Sequence, residues 1–348
     1  MLEVHRDIAG PCLAPDGCVL AIGAFDGLHR GHAALIERLR ARAGESGLVS
    51  AVVSFEPLPR AFFSSEPLAR LSSLREKLCG LADAGIEQLL LLRFDARLAS
   101  MAASDFVRDV LVARMGAKEI WVGSKFRFGH RRAGDVDLLR RLGAEHGFEV
   151  RVLETVATGD GERVSASRIR ETLAAGNFAH AASLLGRPFT IEGRVVRGRR
   201  MGRDLGYPTA NLRLGKRVSP VAGIFAVRVH GPHGALARSP KAGWPAVASL
   251  GVRPTVANDG EPLLEVHLFD FDGELYGQRI EVEFVAKLRD EERFADLEAL
   301  KAQMNRDAAQ ARGVLNGSPG TGRREIVRDR DLTASRVSGF RVPPVMKP

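Results

Sequence analysis

Cysteine is scarce in this chain. The three present in 348 residues, Cys12, Cys18 and Cys79, show no metal-ligand spacing. They build neither a disulfide framework nor a thiolate zinc site, and a reducing compartment is expected. Long apolar runs are also missing, and none approaches the roughly eighteen residues a membrane-spanning helix needs. The opening MLEVHRDIAG is charged early and lacks the apolar core of a secretory signal, so a cytoplasmic location is expected. Two nucleotide signatures are absent as well. No Gly-x-Gly-x-x-Gly follows the first strong strand pattern and no Gly-x4-Gly-Lys-Ser/Thr occurs anywhere, which leaves dinucleotide oxidoreductases and P-loop NTPases unsupported.

What is present describes an ordinary globular protein, 45% hydrophobic and 27% charged, long enough for about two domains. The net charge is +9 and the pI near 10. From Gly313 onward seven basic residues face three acidic ones, so nearly half the surplus belongs to a Gly-, Pro-, Ser- and Arg-rich tail over 313–348 that reads as disordered. The remaining charge suits polyphosphate sites and does not require nucleic acid.

Between Val19 and Leu153 apolar strand patterns (19–24, 48–55, 87–94, 118–123, 148–153) alternate with helical ones (33–43, 72–84, 103–115, 135–146). Such alternation predicts a doubly wound, Rossmann-like parallel sheet whose ligands bind beyond the strands' carboxyl ends. The stretch Gly23 to His32, GAFDGLHRGH, falls at such an end and feeds a helix. There His29 and His32 meet a helix N-terminus that already favours anions, and Gly31 lets a ligand approach the backbone. No nearby side chains complete a zinc site. Two imidazoles donating to a triphosphate suit nucleotidyl transfer. Further along, Phe126 and Phe128, beside Lys125, look like a wall for a flat ring. Ser165 and Ser167 are candidate helix caps that can also turn to phosphate, with Arg168 and Arg170 adding guanidinium groups.

From about residue 186 short alternating strands (190–196, 224–229, 246–250, 263–269, 280–285) replace the β/α units. They predict a small antiparallel β-barrel with one packed helix over 293–312. The loop Gly198 to Asn211 holds Gly198, Gly202 and Gly206 together with Arg199, Arg200 and Arg203, a basic loop able to wrap phosphates. Thr209 and Asn211 offer neutral oxygens for a Mg²⁺ that takes its other ligands from ATP and water. In Leu263 to Phe269, residues 264, 266 and 268 should face the core, which puts Glu265 and His267 on the other face.

These stretches resemble the bacterial bifunctional riboflavin kinase/FMN adenylyltransferase (FAD synthetase) family over residues 15–312. GAFDGLHRGH resembles its His-x-Gly-His signature, Arg163 to Glu171 its second nucleotide signature, and the loop ending Pro208-Thr209-Ala210-Asn211 its kinase signature. The segment Leu264 to Gly277 is similar to its catalytic strand and following turn. Leu58, Lys125, Ala166, Ser167 and Phe225 depart from the usual pattern.

The resemblance implies a nucleotidyltransferase domain over 1–185 and a kinase domain over 186–312, using riboflavin, FMN and ATP with Mg²⁺, and no nucleic acid or membrane. It implies catalytic roles for His29, His32, Arg170 and Glu265, the last as base toward the ribityl 5′-hydroxyl. Gly23, Phe25, Asp26, Gly31, Ser165, Ser167, Arg168, Gly198, Gly202, Arg203 and Gly206 would bind ATP or its phosphates. Lys125, Phe126, Phe128, Gly223, Phe225, Arg253 and Thr255 would lie near flavin, and Thr209 and Asn211 at the metal. Two other readings stay open at this point: a riboflavin kinase whose first half has lost efficient adenylylation, and a nucleotide- or RNA-binding regulator.

Overall fold

The structure is a computed structural model and describes residues 1–159, 161–198, 206–215, 217–231, 242–252 and 262–317. Its first half is a six-stranded sheet of β1 (Glu3–His5), β2 (Cys18–Ile22), β3 (Val49–Glu56), β4 (Gln88–Arg93), β5 (Ala117–Gly123) and β6 (Glu149–Leu153). The order is β1-β4-β3-β2-β5-β6 and every pair is parallel. Five of these strands lie where the apolar runs put them. Strand β1 was not anticipated, because three residues are too few to show a period.

All five residues of β2 are buried because the sheet is covered on both faces. Val19 and Ala21 pack with Leu35, Ile36 and Leu39 of α1 (Arg30–Ser46) and Leu81 of α2 (Leu74–Asp83). Leu20 and Ile22 pack with Val107, Val110 and Leu111 of α3 (Phe106–Arg114) and Leu139 of α4 (Val136–His146). The residues of α3 form a π-helix, a wider turn than the α-helix their spacing predicts. Strands β3 and β4 follow on one side of β2, whereas β5 and β6 lie on the other. The order therefore reverses at β2, and a crevice opens beyond the carboxyl ends of β2 and β5.

The second half is a closed barrel of β7 (Thr190–Val196), β8 (Ala210–Arg213), β9 (Gly223–His230), β10 (Trp244–Val252), β11 (Pro262–Leu268) and β12 (Arg279–Arg289), in the order β10-β11-β8-β7-β12-β9. Strand β8 begins at Ala210, inside the stretch that the sequence pattern reads as a loop running to Asn211. Four residues carry little pattern, but pairing with β7 and β11 makes them a strand. Two helices between the halves, α5 (Ala166–Ala174) and α6 (Phe178–Leu185), send Ile169, Leu173, Phe178 and Leu184 into the barrel's own core beside Phe189 and Phe284. The last helix, α7 (Leu297–Gly317), buries Ala308, Ala311 and Leu315 on the barrel. It thus takes up residues 313–317, which the sequence reading assigned to the tail, because Leu315 completes its apolar stripe.

An ion pair holds α7 in place. Asp307, 4% exposed, accepts from Arg289 at 2.7 Å and from Gln303 at 2.8 Å. Asp307→Ala should lower the unfolding free energy by about 3 kcal/mol, the low end for breaking a buried pair, because the Arg289 side chain keeps 20% exposure. Urea titration of both proteins checks this; a loss below about 1 kcal/mol would place the pair among ordinary surface bridges.

Candidate functional site

The β2–α1 loop is tightly shaped. Phe25 and Leu28 take left-handed backbone conformations, with φ of 48° and 43°, uncommon for bulky residues and characteristic of over-determined sites. Phe25 is fully buried and 4.9 Å from the His32 ring. It therefore supports the site from the core and is not part of the cleft lining, where the sequence reading puts it among the nucleotide-binding residues. A Cβ at Gly23 would come within 3.1 Å of the Phe25 ring, and one at Gly31 within 3.2 Å of the His29 ring.

His29 precedes α1 and His32 lies in its first turn. Their rings stack at 3.7 Å and 16°. The Nδ1 atoms of both are buried and have no hydrogen-bond partner in the protein. Burial lowers the His29 pKa to about 4, against an opposing pull from Asp26. Burial also drives His32 well below the usual histidine value, helped by His29 and Lys77. Two stacked rings cannot both carry charge in a dry site, so both are neutral at pH 7.

Asp26 is 2% exposed and its oxygens are fully engaged. They accept from the backbone N–H groups of Leu71 at 3.2 Å and Ser72 at 3.1 Å, and from Arg170 Nη2. Asp26 therefore holds Arg170, and its oxygens are occupied by protein donors. Arg170 Nε donates to the Ala69 carbonyl at 2.6 Å, which fixes the guanidinium at the cleft floor.

His29, His32, Asp26, Arg170, Ser167, Phe126 and Phe128 all line one cleft of about 800 Å³. Phe126 and Phe128 stack at 5.4 Å and 14°, a ready apolar wall. Ser167 accepts from Arg60 at 2.9 Å. Other expected residues lie elsewhere. Ser165 caps α5 by accepting from Arg168 N at 3.3 Å. Arg168 turns away to Glu162 and Glu171 and does not line the cleft. Lys125 is exposed and outside the lining.

Sequence reasoning missed Arg60, Phe63, Arg131 and Arg132, which do line the cleft. It also missed Lys77, a fully buried lysine whose Nζ donates to the Phe55 carbonyl at 3.2 Å. Burial lowers its pKa to about 8, partly offset by Glu56. A lysine among charged helix residues gave no signal of burial.

A second cluster lies on the barrel. Glu265 on β11 is opposite Asn211 of β8 and Ser249 of β10, so the three side chains share one face. Leu264, Val266 and Leu268 are buried, as the alternation predicts. Asn211 Nδ2 donates to the Thr209 carbonyl at 3.2 Å and reaches Thr209 Oγ1 at 3.4 Å. Asn211 Oδ1 is buried without a partner. Gly198 presses on it so closely that a Cβ there would meet Asn211 Nδ2 at 2.5 Å. Thr209, Asn211 and Glu265 are thus brought together.

Gly206 is an exposed turn residue, while Gly202, Arg203, Arg253 and Thr255 lie outside the described residues. Gly223 starts β9 at φ 123°, where a Cβ would meet the Arg289 carbonyl at 2.5 Å. Phe225, which the sequence reading puts near flavin, is fully buried against Phe178 and Phe284 in the barrel core.

The FAD synthetase family model matches residues 13–168 and the riboflavin kinase family model residues 185–315. The bifunctional riboflavin kinase/FMN adenylyltransferase of Pseudomonas fluorescens is 47% identical over 298 residues, spanning 86% of this chain and 93% of its own length. That of Escherichia coli K12 is 46% identical over 313 residues, 89% of this chain and 97% of its own. A crystal structure described as a macrolide-efflux protein from Streptococcus pneumoniae superposes with a TM-score of 0.72 at 29% identity, over 89% of this chain and 98% of that one.

The buried histidines make stability depend on pH. The His29 pKa is about 4 folded, against an ordinary value of 6.5, so between these values the unfolded chain binds more protons and stability rises with pH. Lowering pH from 7 to 4 should destabilise the protein, with a slope of up to about 1.4 kcal/mol per pH unit from each such ring. His29→Asn should flatten that slope in urea titrations; an unchanged slope would mean that His29 is not buried neutral.

Proposed function

The chain belongs to the bifunctional riboflavin kinase/FMN adenylyltransferase family, and from that membership we propose that it makes both flavin cofactors. The barrel half, 186–312, transfers the γ-phosphate of ATP to riboflavin, giving FMN and ADP. The first half, 1–185, adenylylates FMN, giving FAD and pyrophosphate. The observation that carries this reading is the pair of separate constellations: Thr209, Asn211 and Glu265 on the barrel, and the stacked histidines with Arg170 in the crevice.

In the kinase step Glu265 takes the proton of the ribityl 5′-hydroxyl as that oxygen attacks the γ-phosphorus and ADP leaves. Asn211 Oδ1 is buried and lacks a partner, and the Thr209 hydroxyl lies next to the same amide, 3.4 Å from its Nδ2, so neutral oxygens are available to a hard cation. Among the described residues no group of three or more His, Cys, Asp or Glu side chains is placed to hold a metal. Thr209 and Asn211 would therefore hold a Mg²⁺ whose other ligands are nucleotide and water. Bound there with ATP, Mg²⁺ would supply charge neutralisation of the phosphates.

In the adenylylation step an FMN phosphate oxygen attacks the α-phosphorus of ATP and pyrophosphate leaves. That exchange needs no base, only positioning and relief of growing negative charge. Neutral imidazoles supply N–H donors without burying a cation, and Arg170, held by Asp26, supplies the fixed positive charge. The stacked Phe126 and Phe128 offer a face for the isoalloxazine ring.

A kinase-only reading rested on Lys125 and Leu58. Lys125 stands outside the cleft lining and Leu58 is an apolar part of its wall, so neither removes a cation or an imidazole. Riboflavin, FMN and ATP are then the partners, and the protein works in the cytoplasm. Three unpaired cysteines agree with this, and among the described residues no helix is long and apolar enough to cross a membrane.

Single variants separate the halves. Glu265→Ala should slow FMN formation about 10²–10⁴-fold, the range for loss of a general base, and leave FAD formation from supplied FMN intact. His32→Ala should slow FAD formation about 10²–10³-fold, as for one lost oxyanion donor, and spare FMN formation. Chromatography of the flavins after incubation with MgATP reads both; a folded variant that lost both steps would overturn the division.

A further inference from the structure

Backbone pairing stops just where the kinase constellation begins. The β8–β11 ladder runs from Arg213↔Leu263 to Ala210↔Val266 and goes no further. Thr209 lies beyond the last pair, and Pro208 before it has no N–H with which to extend the ladder. Thr209 therefore lacks the strand register that fixes Asn211 and Glu265.

His267 takes over at this point. It stands two residues from Glu265 on the same outward face of β11. Its Nδ1 lies 2.9 Å from the Pro208 carbonyl, and a carbonyl only accepts, so Nδ1 carries the proton and donates it. The imidazole is held between two rings, Tyr207 at 4.8 Å and Phe269 at 5.8 Å, both in edge contact. Each ring is tied to α7: the Tyr207 hydroxyl bonds to Asn305, and Arg312 lies over Phe269 at 4.2 Å. Burial lowers the His267 pKa, with Arg312 adding to the effect and the Pro208 carbonyl opposing it. A neutral ring has a single N–H, and here it is directed to Pro208.

We propose that His267 is a positioning residue of the kinase half: its Nδ1–H clamps the Pro208 carbonyl and so sets where Thr209 stands beside Asn211 and Glu265. The proposal rests on the kinase reading given above. Thr209 is then tethered from two sides, through Pro208 by His267 and through its own carbonyl by Asn211 Nδ2. The side chain of His267 touches neither phosphate nor flavin in this role. It supplies a donor to the Pro208 carbonyl just past the point where the β8–β11 ladder ends.

His267→Phe keeps a ring between Tyr207 and Phe269 but removes the donor, whereas His267→Asn keeps an N–H near the Nδ1 position. In riboflavin phosphorylation His267→Phe should raise KM for MgATP about tenfold, the worth of one well-placed hydrogen bond, with KM for riboflavin and kcat within about threefold. His267→Asn should return KM for MgATP to within about threefold of the unaltered protein. Calorimetric binding of MgADP should weaken in parallel. FAD formation from supplied FMN should be the same in all three proteins, which reports an intact fold. Nitrogen NMR of the nucleotide-free protein gives a readout independent of turnover, since His267 should show a protonated Nδ1 and an unprotonated Nε2.

An unchanged KM for MgATP in His267→Phe overturns the proposal. So does failure of His267→Asn to restore it, or an Nε2–H tautomer. Should His267→Phe lose FAD formation as well, the asparagine variant and the tautomer decide. Failure of the kinase reading itself would look different, because the unaltered protein would then leave riboflavin unphosphorylated.

Discussion

A carboxylate at Asp26, buried to 2% exposure, is the charge on which the arrangement of this protein depends. A buried ion is tolerable only when paired and fully hydrogen-bonded. Asp26 meets that demand by drawing in groups from two distant places in the chain: the backbone of Leu71 and Ser72, and Arg170 on α5. The same bonds that satisfy the carboxylate set the floor of the cleft.

That requirement also ties the halves together. Helix α5 follows the second cleft signature, yet its apolar face packs into the barrel core. The segment leading to Ser72 is clipped by the barrel in both directions: Arg70 N donates to the Val218 carbonyl at 2.9 Å, and Arg217 donates to the Arg70 carbonyl at 3.3 Å. Glu76 of α2 adds a third link, accepting from Glu192 N at 2.9 Å and from Arg217 at 3.0 Å. The cleft therefore takes its shape partly from the barrel, although their chemistries are separate.

The two constellations are held in place by different means. In the cleft, burial strips the histidines of charge and leaves Arg170 as a cation whose position a carboxylate holds. On the barrel the groups are placed by strand register, with Asn211 opposite Glu265. Register is rigid wherever ladder bonds exist. Where Pro208 interrupts them, side chains from α7 and β11 finish the work.

Much of this was legible in the chain. Period-two and period-3.6 patterns marked five of six strands in each half, and the clustered motifs marked the loops where His29, His32, Thr209 and Asn211 stand, because local backbone preference and side-chain spacing are written locally. The alternation in 263–269 by itself puts Glu265 on the face opposite the buried Leu264, Val266 and Leu268. What stayed hidden depends on residues far apart in sequence. Nothing local distinguished Phe25 and Phe225, which are buried, from Phe126, which lines the cleft, since each is a phenylalanine in a motif. Nothing showed that Asp26 would bind Arg170, 144 positions away, or that Lys77 would be fully buried. Sequence determined which segments form strands and helices and which chemical groups were at hand. Tertiary structure alone decided which of those groups face a ligand, since burial and hydrogen-bond partnership are settled only when distant segments pack and exclude water.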